Sequence, residues 1–84
     1  MGATYKDFDN LSSVDADLER ARQSLIEELE AINWYQQRIA STKSAKLKKI
    51  LEHNRDEEKE HAAMLIEFLR ENDPTFDKMF AEHD

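Results

Sequence analysis

"RDEEKEHAAMLIEFL", Arg55 to Leu69, is the stretch whose reading decides the fold. It holds no Gly or Pro and reads as helix, so one apolar face should run through it without a break. Instead that face carries Glu58 and His61 at its centre, with Ile50 before them and Leu65 and Phe68 after. Burying an unpaired carboxylate is costly, so these residues either meet a partner or stand exposed.

Outward from this stretch, a helix is expected from about Ala45 to about Glu71. "STKS" (Ser41–Ser44) before it is a short polar connection of the kind that joins antiparallel helices. Upstream, "SSVDADLE" is a helix start: Ser12 or Ser13 caps, and Asp15, Asp17 and Glu19 place negative charge at the positive end of the helix dipole. That first helix runs from about Val14 to about Ala40, roughly 40 Å at 1.5 Å per residue. Downstream, "NDP" closes the second helix. Asp73 caps a short third helix through about Ala81, with Pro74 in its first position. Residues 1–11 show no period and are read as a flexible tail, leaving 12–84 as the helical domain.

Composition agrees with this layout. The 84 residues are 39% hydrophobic and 37% charged, with one Gly and one Pro, which suits helices with one buried stripe each and not a sandwich or barrel. A chain this short is a single domain. The absence of Cys excludes disulfides and thiolate metal sites, so any metal is held by oxygen and imidazole nitrogen. A net charge of −7 argues against a nucleic-acid partner. The longest wholly apolar run, "AAMLI" (Ala62–Ile66), is too short to span a bilayer, so no membrane partner is expected. "MGATYKDFDN" lacks the features of a secretory signal, which points to the cytoplasm.

On the first helix Leu18, Leu25, Ile32 and Ile39 recur every seven residues, with Ala21, Glu28 and Tyr35 beside them. On the second, Leu47, Ile50, Asn54, Glu57, Glu58, His61, Leu65 and Phe68 fall within one stripe. A hairpin covers only part of each stripe. The fold expected is therefore all-α: an antiparallel two-helix hairpin plus a short C-terminal helix, dimerising into a four-helix bundle.

Both stripes carry the same anomaly at the same height. Glu28 and Glu58 each lie about fifteen residues from a turn near residue 43, so an antiparallel hairpin sets them side by side. Glu58 and His61 form Glu-x-x-His, an i, i+3 spacing that puts both groups on one face. One carboxylate helix and one Glu-x-x-His helix are half of a di-iron carboxylate site, and a symmetric dimer supplies the other half. The resulting four carboxylates and two imidazoles suit iron or manganese better than zinc or copper, and ligand types do not separate the first two. The plainer account leaves both Glu at the edge of the seam, with His61 as a hydrogen-bonded core histidine. Glu27, Glu30 and Trp34 share another side of the first helix. On spacing alone they are a solvated acidic face with an interface aromatic, and Tyr35 is a packing residue in the stripe of Glu28.

"IEELEAINWYQQR" (Ile26–Arg38) followed by "LEHNRDEEKEHAAM" (Leu51–Met64) resembles the encapsulated ferritins, bacterial ferritin-like proteins built as half a ferritin bundle. The resemblance covers about residues 14 to 80. It implies a ferroxidase, oxidising Fe(II) to Fe(III) with O2 at a di-iron centre of Glu28, Glu58 and His61 from each of two chains, two irons per dimer. It places an outer metal site on Glu27 and Glu30, with Trp34 beside it and Tyr35 near the centre, against the plainer reading of that face. It further implies homodimers arranged in a ring, a decamer being the expected size, within the cytoplasm and inside an encapsulin shell that stores the mineral. The family carries a C-terminal address peptide that "MFAEHD" (Met79–Asp84) does not match, so packaging rests on the resemblance alone. Two rival readings follow from the residues themselves: a non-enzymatic helical oligomerisation module whose polar seam residues fix register, and a manganese or rubrerythrin-like carboxylate protein.

Overall fold

The computed structural model describes residues 12–84. The expectation of a flexible tail over residues 1–11 lies outside them. Three helices follow one another: α1 (Ser13–Ser41), α2 (Ala45–Asn72) and α3 (Pro74–His83). Each begins where a short polar side chain satisfies an otherwise orphaned backbone N–H. The Ser12 hydroxyl accepts from the Asp15 N–H at 3.1 Å, Ser44 from Leu47 at 3.1 Å, and the Asp73 carboxylate from Phe76 at 3.1 Å. Pro74 opens α3, where its missing N–H costs nothing. In the turn the Ser44 N–H donates to the Thr42 hydroxyl at 3.2 Å.

α1 and α2 form an antiparallel hairpin, and α3 folds back beneath its open end. Leu18 and Ala21 of α1 enclose Leu69 of α2, with Leu25, Leu65 and Phe76 packed around them. α3 is held by more than Phe76. The Phe76 and Phe80 rings lie 5.2 Å apart, and the Arg70 guanidinium sits 4.8 Å above Phe80 while donating to Asp77 at 2.8 Å. These contacts fix the third helix against the second through both apolar area and a charge-assisted bond.

The seam on α2 is narrower than the stripe expected from the sequence. Leu51, Ala62 and Leu69 are its buried members, while Leu47, Ile50 and Phe68 stand exposed. The reason is geometric. A stripe of about 100° on a helix with one neighbour can turn only its centre toward that neighbour, and here Leu51, Glu58, Leu65 and Leu69 form the line facing α1.

The hairpin is one layer deep, 49 × 34 × 19 Å. Among the described residues, nine large hydrophobic side chains are exposed, whereas only Leu18, Ile39, Leu51 and Leu69 of that size are buried. A single layer of helices cannot cover both faces of its own apolar surface, so stable domains place a second layer on it. No helix among the described residues is long and apolar enough to cross a membrane.

Because the core is this small, its one fully enclosed side chain matters out of proportion. Leu69 is 1% exposed. Leu69→Ala is expected to lower stability by about 3 kcal/mol, the middle of the range for buried Leu→Ala changes. Urea unfolding followed by circular dichroism reads the shift, and an unchanged midpoint would mean that the hairpin's stability lies elsewhere.

Candidate metal centre

Glu28 stands halfway along α1, on the line of Ala21, Tyr35 and Ile39 that faces α2. Glu58 occupies the matching position on α2, four residues before buried Ala62. The antiparallel hairpin brings the two carboxylates to one level, as their equal distance from the turn predicts. His61, three residues after Glu58, is turned about 60° from it around the helix and lies at the edge of the seam. Its Nδ1 is 3.4 Å from Glu58 Oε2 and 3.6 Å from Glu28 Oε2. One donor atom from each of the three residues fits within a span of 4.8 Å. Among the described residues this is the one group of three or more acidic or imidazole side chains close enough to share an ion.

Burial grades across the site. The Glu28 and Glu58 side chains are 25% and 23% exposed, and His61 is 51% exposed. The three donors therefore open from the seam onto one side of the hairpin. Ile50, Met64 and Phe68 are exposed on the same flank of α2 as His61. Glu28 Oε2 is buried and accepts no hydrogen bond. An orphaned carboxylate oxygen is rare, because nothing then offsets the loss of its water. A divalent cation would supply the missing partner, and the donor set of oxygen and imidazole is compatible with a hard or borderline metal.

The electrostatics of the apo centre point the same way. Hydrogen bonding to the Glu58 side chain comes first among the influences on Glu28. Burial and the negative charge of Glu58 add to it, and His61 opposes them; the balance raises Glu28 above the usual carboxylate range. For His61, desolvation pulls downward, but hydrogen bonding to Glu58 and the charges of Glu28 and Glu58 outweigh it, and the imidazole is held above its ordinary value. Both groups thus bind protons more tightly in the folded chain than in the unfolded one. Their contribution to stability is present at low pH and is lost as pH rises through the raised values. A metal ion at this site would compete with protons for the same donors, so its binding would strengthen with rising pH.

The remaining residues picked out from the sequence lie apart from this group. Glu27, Glu30, Trp34 and Tyr35 line an open cleft on α1 with Ala31 and Arg38. The Arg38 guanidinium lies 5.5 Å from the Trp34 ring and 5.9 Å from the Tyr35 ring, and Gln23 donates to Glu27 at 3.2 Å. Tyr35 belongs to both regions, since it shares the line of Glu28 and also borders the cleft. Sequence reasoning did not single out Arg38, although the spacing Trp34-x-x-x-Arg38 is the i, i+4 signal for stacking on one face. Glu57, which shares the stripe of Glu58 in the sequence, lies 3.3 Å from His53 Nε2.

An antiparallel helical hairpin with two facing carboxylates and a Glu-x-x-His turn defines a ferritin-like carboxylate protein. The comparisons agree. Residues 3–83 match the EncFtn-like family, and the chain belongs to that family. It is 53% identical over 74 residues to a ferritin-like protein of Thermotoga maritima, covering 88% of this chain and 65% of the relative. It is 46% identical over 81 residues to the encapsulated ferritin-like protein of Rhodospirillum rubrum, covering 96% of this chain and 55% of the relative. The encapsulin nanocompartment cargo protein EncC of Myxococcus xanthus is 44% identical over 61 residues, 71% of this chain and 47% of that one. The chain therefore spans roughly half to two thirds of the length of these relatives. A Nitrosomonas europaea protein solved by crystallography superposes with a TM-score of 0.86 at 49% identity, over 96% of this chain and 89% of that one.

Proposed function

We propose that the chain is a ferroxidase whose centre is completed by a second copy of itself. The observation that carries this reading is the convergence of Glu28, Glu58 and His61 around a buried carboxylate oxygen with no hydrogen-bond partner. A single chain supplies two negative charges and one imidazole. Two chains related by a twofold axis supply four charges and two imidazoles, which balance two divalent ions and give each a nitrogen donor. Fe(II) is the substrate, and the pair of ions held together yields two electrons to O2.

In this scheme Glu28 and Glu58 bind and bridge the ions, and His61 contributes Nδ1. Because the proton affinities of Glu28 and His61 are raised, loading competes with protons at both groups. Glu27 and Glu30 form an outer cation site on the cleft, with Trp34 at its side and Tyr35 between cleft and centre. The homodimers assemble further into a ring, and the protein works in the cytoplasm within an encapsulin shell that receives the ferric product. The names of the Rhodospirillum and Myxococcus relatives, an encapsulated ferritin-like protein and an encapsulin cargo protein, support the shell association.

The test is an anaerobic Fe(II) titration followed by exposure to air, with ferric absorbance and proton release recorded together. Saturation near one iron per chain, with fast oxidation and protons released in proportion to iron bound, is the expected result. Oxidation at the rate of buffer alone, without a stoichiometric break, returns the three residues to a structural role in a helical module.

A further inference from the structure

Most of the α1–α2 seam is apolar, and apolar contact has no direction. The turn at residues 42–44 fixes the register at one end of the hairpin, but apolar contact alone leaves small shifts farther along the seam weakly opposed. The metal centre does not tolerate them. A shift of one residue moves a donor by about 1.5 Å along the axis and swings it by about 100° around the helix. Something directional must therefore hold the register.

Away from the metal centre, a side-chain hydrogen bond joins α1 to α2 among the described residues. Arg55 Nη1 donates to Gln36 Oε1 at 3.0 Å. Arg55 is only 19% exposed, and its Nε donates to Asp56 at 3.1 Å, so the guanidinium plane is fixed from two sides. Arg55 lies three residues before Glu58 and His61 three after it. Helical geometry therefore turns them about 60° to opposite sides of Glu58. The tie closes one edge of the seam, while the donors open on the other. Arg55 is not among the groups that shift the proton affinity of Glu28 or His61. The hydrogen bond to Gln36 is its link to the helix that carries Glu28.

We propose that Arg55, through Gln36, is the positioning residue that locks the α1–α2 register begun at the turn and so holds Glu28 against Glu58. This rests on the reading of those residues as a metal centre, and the test separates the two. Co(II) serves as the probe in the 84-residue chain, with affinity and visible ligand-field absorption as readouts, for wild type, Arg55→Met, Gln36→Leu, the double variant and Glu28→Ala.

The expected result is a loss of Co(II) affinity of about tenfold or more in either single variant, the size typical of residues that orient ligands. A changed absorption band should accompany it, with helix content retained. The double variant should be no worse than the singles, because both remove one interaction. Gln36→Glu, which turns the tie into an ion pair, should keep the wild-type spectrum. The proposal is overturned if Arg55→Met and Gln36→Leu bind Co(II) with wild-type affinity and spectrum while Glu28→Ala does not, or if the two losses simply add. If Glu28→Ala also binds like wild type, the metal-centre reading itself fails. Should Arg55→Met not fold, exposed Gln36 still provides the test through its own variants.

Discussion

Glu28→Ala protein oxidises Fe(II) no faster than buffer and shows no stoichiometric iron uptake, yet it is at least as stable as the wild type without metal. These two expected results have one cause. Glu28 is the only donor that α1 contributes to the converging group, so its loss leaves a Glu-x-x-His helix without a facing carboxylate. Removing residues that merely orient ligands costs ~10–100-fold in affinity, so removing a ligand should exceed that range. Stability moves the other way because the apo centre is a liability. Glu58 facing it raises the proton affinity of Glu28 above the usual carboxylate range, and its buried oxygen lacks a partner. Truncating it removes both penalties and leaves a small cavity near the surface. Stopped-flow oxidation and thermal unfolding of the same preparation check the pair. Wild-type kinetics in the variant would remove the assignment; lost activity together with a collapsed melting transition would make Glu28 a structural residue.

That combination also distinguishes the centre from the rival view of polar seam residues as register devices. A register device stabilises one alignment, so its removal should loosen the fold. In this chain the register role falls to Arg55 and Gln36, whose hydrogen bond is satisfied. Glu28 is the unsatisfied group. The polar residues of the seam thus divide into those that already have their partner within the chain and those that still need one.

Much of this was legible in the sequence, for reasons that can be named. Ser12 and Asp73 cap where expected because short oxygen side chains before a helical run have few other uses, and Pro74 marks the start of α3. The meeting of Glu28 and Glu58 follows from counting to the turn, since an antiparallel hairpin preserves height along its axis. The azimuth around each helix was less accessible. Ile50 and Phe68 look as suited to the seam as Leu51 and Leu69, because all four are large and apolar and one residue separates the alternatives. Only packing chooses, and it buries Leu51 and Leu69. For the same reason His61, read as central, lies at the edge, half open to solvent. The Arg55–Gln36 tie was hidden because it links residues nineteen apart, and no local spacing rule reports on such a pair.

The edge position of His61 leads to the second large effect expected. Adding Fe(II) anaerobically, or Co(II) as a redox-silent substitute, should convert the chain from smaller to larger assemblies and lower the concentration needed for dimerisation by at least about 100-fold. Without metal, a dimer that closes over this edge gathers four carboxylates and two imidazoles with only protons to offset them. The exposed apolar residues favour closure, and the like charges oppose it. A divalent ion reverses the electrostatic sign while leaving the apolar term untouched, so metal affinity and dimer affinity are linked and each must strengthen the other. At one hundred times the dissociation constant, a ligand that binds only the assembled state contributes about 2.7 kcal/mol per site. Sedimentation velocity across a concentration series, with and without Co(II), reads this directly, and Glu28→Ala provides the control in which metal should shift nothing. Raising the pH in the absence of metal should weaken the apo dimer further, because it strips the protons that partly neutralise the centre. An assembly state indifferent to both metal and pH would mean that the two chains do not share the site, and that Glu28, Glu58 and His61 bind whatever they bind within one hairpin.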